Sequence, residues 1–224
     1  MLQIHFGIQM FTQLIEEHVP SARTILVAGC GGKGAEVRSL AEDNSRFVVG
    51  FDINLEPQLE GASGSNWQLI KASVLDIPFK NDTFDAILYY HVIEHVPAPE
   101  QSLAELSRVL RREGGIFVGT PNRSRLLWYI DSRSSLLEKI RWNWVEWKYR
   151  LRGKFRNEFG AHAGFTEREL HQLMAPYFRE IHQITERYLR SKFAKRLPPS
   201  ILSFVCWKPI RQIVAPSIYA WAKK

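Results

Sequence analysis

Short apolar runs that alternate with helical patterns constrain the fold of this chain more than any other sequence feature. Residues 24–28 form one run that stops at a glycine, and residues 47–51 form a second run that stops at Asp52. Two further runs follow at 67–72 and 84–89. Continuous runs of this length are typical of strands that are buried on both faces of a parallel sheet. The alternation therefore predicts βαβ units with right-handed crossovers.

Helices and one further strand are predicted between and after these runs. Residues 8–18 fit a first helix, and residues 36–42 fit a second helix that follows the glycines. Apolar side chains at helical spacing across 103–110 predict a third helix. Gly114 and the glycine after it then mark the entry to a fifth strand at 116–119.

The regular alternation of strands and helices stops before the last third of the chain, where the sequence predicts further elements. Thr166 and Glu169 have the spacing of a capping box and so predict the start of a helix. Late strands are predicted at 178–185 and 217–222, on either side of a helical stretch at 200–214.

The length of 224 residues allows one sizeable α/β domain and is too short for two ordinary enzymatic domains. We therefore predict a single domain over residues 1–224. Its fold class is a doubly wound, mainly parallel sheet of seven strands, of the Rossmann-like type. A helical cap is inserted after the fifth strand, at about 123–161.

The net charge of +7 is concentrated in residues 123–156. This segment holds ten Lys or Arg and three acidic residues, whereas the rest of the chain carries 20 of each sign. A basic, aromatic helix is typical of an interfacial membrane helix and also of a cap that covers a pocket. We expect the cap to pack on the core, with contact to an anionic membrane as the alternative, and we expect no nucleic-acid binding. The segment contains Trp128, Trp142, Trp144 and Trp147.

The cysteine content and the apolar runs indicate the compartment. Cys30 and Cys206 are the two cysteines, and they suit neither a disulfide framework nor a metal cluster. Residues 1–20 lack a signal-peptide pattern, and no apolar run approaches the roughly 20 residues that span a bilayer. We expect a cytoplasmic protein, with peripheral membrane contact as the alternative.

A glycine-rich loop, G-C-G-G-K-G at 29–34, lies between the first predicted strand and a predicted helix. Glycines in this context let the backbone approach a ligand closely. Gly29, Gly31 and Gly34 match the dinucleotide spacing G-x-G-x-x-G, and Asp52 stands where a ribose-binding acid would stand. The sequence therefore predicts a cofactor that carries a nucleoside. A nicotinamide- or flavin-dependent oxidoreductase is one interpretation.

Further motifs indicate a class of enzyme different from the oxidoreductases. SVLDIPF occupies 73–79, NDTFDAI occupies 81–87 and HVIEHV occupies 91–96. Together with GCGGKG, FDIN, LAELSRVLRREGG and GTPN, these blocks resemble the class I S-adenosylmethionine (SAM)-dependent methyltransferases. The group of ubiquinone-biosynthesis O-methyltransferases is the most similar in motif style. The resemblance covers residues 22–122 and resumes weakly at 162–174.

The resemblance implies that SAM is the cofactor and that the enzyme methylates an oxygen or carbon of a small-molecule or lipid-like acceptor. It implies that Asp52 accepts hydrogen bonds from the ribose hydroxyls, and that Asp76 accepts one from the adenine amino group with Leu75 nearby. Val27 and Lys33 depart from the family pattern, which usually has an acid and a glycine at these places. The implied cofactor-binding residues are Ala28, Gly29, Cys30, Gly31, Gly34, Asp52, Ile53, Leu75, Asp76 and His91.

His91, Glu94 and His95 follow the fourth predicted strand and are the candidate catalytic residues. The sulfonium of SAM already activates the methyl group, so the protein has to align the acceptor and remove a proton from a hydroxyl. Glu94 and His95 match the E-H pair of the ubiquinone-type enzymes, where the resemblance suggests a divalent metal. Two ligands on one turn are not a metal site, so we expect no metal. A SAM-binding module without turnover, and a structural role for this turn, remain alternatives.

Overall fold

The computed structural model describes residues 2–42, 44–126, 135–157 and 163–224. In this part of the chain, seven strands form one sheet. The strands are β1 (Thr24–Ala28), β2 (Phe47–Asp52), β3 (Trp67–Lys71), β4 (Phe84–Tyr90), β5 (Leu110–Pro121), β6 (Arg179–Gln183) and β7 (Ser217–Lys223).

The strand order is β3-β2-β1-β4-β5-β7-β6. Strand β7 runs antiparallel to both of its neighbours, and every other neighbouring pair is parallel. The prediction of a doubly wound, mainly parallel, seven-stranded sheet is confirmed. The antiparallel β7 distinguishes the sheet from the dinucleotide-binding arrangement with strand order 3-2-1-4-5-6.

Helices cover both faces of the sheet. Helices α1, α2 and α6 contribute to one apolar cluster, and α3 and α5 contribute to the other. Among the elements that can be described, 3-10 turns lie at Pro57–Leu59 and Ile93–His95. The helices are α1 (Leu2–His18), α2 (Ala35–Ala41), α3 (Pro99–Val109), α4 (Leu136–Leu151), α5 (Glu167–Met174), α6 (Thr185–Phe193), α7 (Pro199–Cys206) and α8 (Lys208–Val214).

Strand β1 shows why the apolar runs are continuous rather than alternating. Leu26 and Ala28 belong to the cluster on the α3 side, whereas Ile25 and Val27 belong to the cluster on the α1 side. All four side chains are at most 2% exposed. Both faces of the strand are therefore core, as the sequence pattern predicts for a doubly covered sheet.

The start of β5 differs from the sequence-based expectation. The strand begins at Leu110, directly after α3, and not after Gly114. Leu110 is fully buried and pairs with Phe84, so the chain must become extended before it reaches the glycines. The register then shifts between Phe84 and Ala86, and Glu113 adopts a left-handed backbone with φ 62°.

Helix α4 corrects the expectation that the cap packs on the core. Ser135 and Glu138 form a capping box at its start, but no side chain of the helix is buried. Leu137, Trp144 and Leu151 are 79%, 58% and 78% exposed, so the apolar side of α4 does not cover a core. Trp128, in the predicted cap at 123–161, and His162, which follows the cap, lie outside the described residues.

Helix α4 is held to the domain by polar contacts at the side of Glu146. Glu146 Oε1 accepts a hydrogen bond from Nη2 of the fully buried Arg125 at 2.9 Å. Arg150 Nη2 donates to the Arg123 carbonyl at 3.0 Å, and its guanidinium lies 3.9 Å from the centre of the Phe155 ring. In the described residues, no helix has the length and apolar character needed to cross a bilayer.

Gly115 lies against the indole of Trp221, and replacing it tests the packing between β5 and β7. A Cβ atom at Gly115 would lie 2.0 Å from Trp221 Cζ2, inside a fully buried contact. We expect Gly115→Ala to lower the free energy of unfolding by about 1–3 kcal/mol through overpacking. Urea denaturation monitored by circular dichroism measures this change.

The matched control is Trp221→Phe, which removes the outer ring atoms that the new methyl group would meet. The double variant should then lose less stability than the sum of the two single variants, since the residues are in contact. Additive losses would contradict the packing of Gly115 against Trp221.

Candidate cofactor and active site

The carboxyl ends of four parallel strands meet at one edge of the sheet. Ala28, the last residue of β1, pairs with Phe51 on one side and with Tyr89 on the other. Asp52 in turn pairs with Lys71 at the end of β3. Residues that directly follow these positions are therefore brought to the same level, where α/β sheets bind ligands.

The glycine loop turns sharply after β1 and leaves exposed backbone at this edge. The N–H groups of Gly29 and Cys30 both donate to the Phe51 carbonyl, at 2.9 and 3.0 Å. Gly29 has φ 75°, and a Cβ atom there would lie 2.4 Å from Val92. Gly31 has φ 68°, and no atom lies within 4 Å of its Cβ position. The loop can thus receive a ligand against its backbone at Gly31.

The Asp52 carboxylate joins the loops that follow β1 and β2. Its Oδ2 accepts a hydrogen bond from the Gly31 N–H at 2.8 Å, and its Oδ1 accepts one from the Asn54 N–H at 2.7 Å. A carboxylate oxygen has a second lone pair, so each oxygen can accept another hydrogen bond from a ligand. Asp52 is therefore fixed in place before any ligand binds.

The side chain of Cys30, a residue of the glycine-rich loop, is buried and is not suited to nucleophilic chemistry. Burial, with a contribution from the negative charge of Asp52, raises the pKa of its thiol to about 12. The thiol stays protonated near neutral pH, whereas the thiolate is the reactive form. Burial, with a contribution from Asp52, also raises the pKa of Glu36 in the following helix.

A cavity of about 560 Å³ opens at this edge of the sheet. Its wall consists of Gly29, Gly31 and residues at the ends of the next three strands and just after them, at 51–54, 72–75, 91–92 and 95–97. The volume lies within the range of roughly 300–1,000 Å³ that is common for small-molecule and cofactor sites. Ile53 is 61% exposed on the wall, so a flat apolar group could pack against it.

His91 presents an imidazole to this cavity and is held from behind. Its Nδ1 lies 3.4 Å from Oε1 of Glu94, whose side chain is 2% exposed. Glu94 Oε2 accepts a hydrogen bond from the Thr120 hydroxyl at 3.1 Å. The His91 Nε2 atom is buried and has no hydrogen-bond partner among the described residues. This nitrogen can therefore exchange a proton or a hydrogen bond with a ligand.

The structure divides the sequence-predicted residues into two groups. One group lines the cavity: Gly29, Gly31, Asp52, Ile53, Leu75, His91 and His95. The other lies behind or beside it. Ala28 and Cys30 are buried, Gly34 packs against Leu69, Glu94 lies behind His91, and Asp76 is exposed on the turn after β3.

Sequence reasoning missed several residues of the site. Asn54, Ser73 and Val92 line the cavity, and Thr120 supports Glu94. Thr120 belongs to the GTPN motif at the end of β5, so its position after a predicted strand was a usable signal. Among the described residues, no group of three or more His, Cys, Asp or Glu side chains could hold a metal ion.

Comparison with known proteins decides between the cofactor classes that the glycine spacing leaves open. Residues 26–118 match the family described as "Methyltransferase domain". Residues 26–118 of the chain are therefore similar in sequence to SAM-dependent methyltransferases. The matched segment runs from β1 to β5 and so contains the loop, Asp52 and His91.

Two curated relatives share this part of the domain. A Mycobacterium tuberculosis protein named "Probable S-adenosylmethionine-dependent methyltransferase" is 30% identical over 110 residues, which are 46% of this chain and 37% of the relative. A ubiquinone biosynthesis O-methyltransferase of Saccharophagus degradans is 31% identical over 109 residues, 46% of this chain and 45% of the relative. The chain thus spans less than half the length of each.

A solved structure extends the likeness in fold to almost the whole chain. The phosphoethanolamine N-methyltransferase 2 of Haemonchus contortus, solved with phosphomonomethylethanolamine and S-adenosylhomocysteine, gives a TM-score of 0.58 at 12% identity. The alignment covers 96% of this chain and 53% of that chain. At this identity the likeness shows a shared fold.

Replacing Asp52 tests its place in the cofactor site. We expect Asp52→Ala to weaken the binding of S-adenosylhomocysteine by roughly tenfold or more, since hydroxyl donors would be left unpaired at a cost of about 1–3 kcal/mol. Isothermal titration calorimetry measures the affinity.

The control is Glu56→Ala, which removes a nearby carboxylate that does not line the cavity. Circular dichroism should show that both variants are folded. Unchanged affinity in a folded Asp52→Ala protein would remove Asp52 from the cofactor site.

Proposed function

We propose that this protein transfers the methyl group of SAM to an oxygen or carbon atom of a small-molecule or lipid-like acceptor. The observation that carries the proposal is the cavity at the strand ends, whose wall includes both Asp52 and His91. A carboxylate for a ribose and a base for an acceptor are the two polar functions that such a transfer needs.

The residues at this edge fit the cofactor. The carboxylate of Asp52 can accept hydrogen bonds from two vicinal hydroxyls, because both of its oxygens keep a free lone pair. Ile53 and Leu75 offer apolar surface for an adenine ring, and the open backbone at Gly31 offers room for the amino-acid end. Asp76 would reach the cofactor from the exposed turn after β3. Bound SAM supplies a methyl group that its sulfonium has already activated.

His91 is the residue that we assign as the general base. Its Nε2 can take the proton of an acceptor hydroxyl as the oxygen gains the methyl group. Glu94 lies 3.4 Å from Nδ1 and can stabilise the resulting imidazolium, while Thr120 holds Glu94. Glu94 is therefore a positioning residue in this proposal. His95 lines the cavity and is an alternative contact for the acceptor.

Two observations support an apolar acceptor. Val92, Val96 and Pro97 line the cavity together with His91, so part of its wall is apolar. Helix α4 also exposes an apolar surface that is unusual for a helix in water. The name of the Saccharophagus degradans relative, a ubiquinone biosynthesis O-methyltransferase, is compatible with this class of acceptor.

The proposal includes peripheral contact with an anionic membrane through the segment at 123–156. On a helical wheel with 100° per residue, six of the eight exposed large hydrophobic side chains of α4 fall within an arc of about 100°, whereas Val145 and Tyr149 lie outside it. Arg141, Lys148 and Arg152 border this arc on one flank. This arrangement is typical of a helix that lies in the headgroup region. The side chains in the arc are Leu136, Leu137, Ile140, Trp144, Trp147 and Leu151.

The cofactor proposal predicts selective nucleotide binding. We expect S-adenosylhomocysteine and SAM to bind to the chain and NADH to show no binding, since Asp52 and the cavity suit one nucleoside and the Mycobacterium tuberculosis relative is named as SAM-dependent. Calorimetric titrations with the three compounds under one buffer condition provide the measurement. An NADH isotherm without any response to SAM would contradict the proposal and favour an oxidoreductase.

The membrane proposal predicts salt-sensitive binding to anionic vesicles. Each Lys or Arg near such a surface contributes about 1 kcal/mol and is screened by salt. We expect the triple variant Arg141→Glu, Lys148→Glu and Arg152→Glu to lose most co-sedimentation with phosphatidylglycerol vesicles at low salt. Arg150 is left in place because it fastens α4 to the domain. If the unmodified protein ignores these vesicles at low salt, the membrane contact is wrong.

A further inference from the structure

We propose that α7 and α8 form a second lipid-binding surface, which enters the headgroup region of an anionic phospholipid bilayer beside α4. The inference deepens the proposed function and rests on it, since the surface would bring the enzyme to the phase in which a lipid-like acceptor is found. The surface is defined by Ile201, Phe204, Trp207, Lys208 and Ile213.

Exposed apolar side chains are concentrated in one part of the described chain. Thirteen of the fifteen large hydrophobic side chains that are exposed lie between residues 126 and 213. On α7 and α8, Phe204 is 59% exposed and Trp207 is 60% exposed. The side chains of Ile201 and Ile213 are 48% and 36% exposed. Large aromatic side chains that are exposed together usually mark a binding surface.

The opposite side of α7 is packed, so this exposure is not a sign of a loose helix. Leu202 and Cys206 are buried in an apolar cluster with Leu189 and Ala215. Helix α8 is fixed by Arg211, whose Nη1 donates to Glu186 at 2.9 Å and whose side chain is nearly buried. Both helices therefore have a packed side and an apolar outer side.

The charge of this region complements an anionic surface. Residues 187–224 contain nine Lys or Arg and no Asp or Glu, and five of the nine are paired with acidic residues elsewhere in the chain. Lys208 follows Trp207 directly, and Lys195 and Arg196 lie exposed at the end of α6. Aromatic rings at headgroup depth with Lys or Arg beside them are typical of interfacial membrane segments. A surface that docks a protein would more often carry both signs of charge.

The surface adjoins α4 through the segment at 122–126. The N–H of Leu126 donates to the Ile213 carbonyl at the end of α8, at 2.9 Å, and the Leu126 side chain is 44% exposed. The neighbouring Arg125 holds Glu146 of α4. Helices α4 and α8 are thus both attached to one short segment.

The test measures co-sedimentation of the full chain with vesicles of phosphatidylcholine alone and of phosphatidylcholine with phosphatidylglycerol. We expect binding to the anionic vesicles only. The double variant Phe204→Ser and Trp207→Ser should weaken it by about tenfold or more, because two buried aromatic contacts with lipid are lost. The variant Lys208→Glu should weaken it by about fivefold at low salt and by much less at high salt.

Two matched controls keep the result specific. Phe47 is 41% exposed on the first residue of β2, away from this surface, so Phe47→Ser should bind vesicles like the unmodified chain. Lys80→Glu makes the same charge change as Lys208→Glu at another exposed site. If the double variant does not fold, Lys208→Glu against Lys80→Glu decides the question alone.

The outcomes separate this inference from the proposed function. Loss of vesicle binding with unchanged S-adenosylhomocysteine affinity supports the surface. Vesicle binding that is unchanged in the α7–α8 variants overturns the surface, even when cofactor binding and binding through α4 are intact. A change from dimer to monomer in the double variant, measured by sedimentation equilibrium without vesicles, also overturns it, because a second copy would then be the occupant.

Discussion

The position of β1 between β2 and β4 is the constraint on which the site depends. Because Ala28 pairs with Phe51 and with Tyr89, the chain leaves three neighbouring strands at one level. Hydrogen bonds of the next residues then close the arrangement, since Asp52 accepts from Gly31 and the N–H of His91 donates to the carbonyl of Gly119 on β5. A shift of register by one residue would turn each side chain to the other face and separate these groups.

The strand ends can be predicted from the sequence because a strand that is buried on both faces is a continuous run of apolar residues. An apolar run that stops at a glycine or at Asp52 marks both the strand and the first residue beyond it. The start of β5 could not be predicted, because the burial of Leu110 depends on its pairing with the distant Phe84. The support of Glu94 by Thr120 is also a contact between distant segments. For α4, periodicity predicts an apolar side but cannot say whether protein covers it.

A buried group of tyrosines connects the site to the helices at the end of the chain. The hydroxyl groups of Tyr90 and Tyr188 lie 3.0 Å apart, and the rings of Tyr188 and Tyr219 stack at 3.7 Å. Burial raises the pKa of Tyr90 well above its usual value, so its hydroxyl stays neutral. The ring of Tyr90 also meets the edge of the His91 imidazole, with centroids 4.5 Å apart. Through Tyr188, helix α6 therefore contacts Tyr90, the residue that directly precedes His91.

The backbone of His91 has a consequence for ligand binding. Its φ of 57° lies in the left-handed region, which costs a residue other than glycine roughly 1–2 kcal/mol. The contacts with Tyr90 and Glu94, and the hydrogen bond to Gly119, keep the residue in this conformation. The imidazole is consequently oriented before a ligand arrives. A ligand that reaches Nε2 therefore loses little affinity to the entropy of ordering this side chain, and its binding can be rapid and close to rigid-body docking.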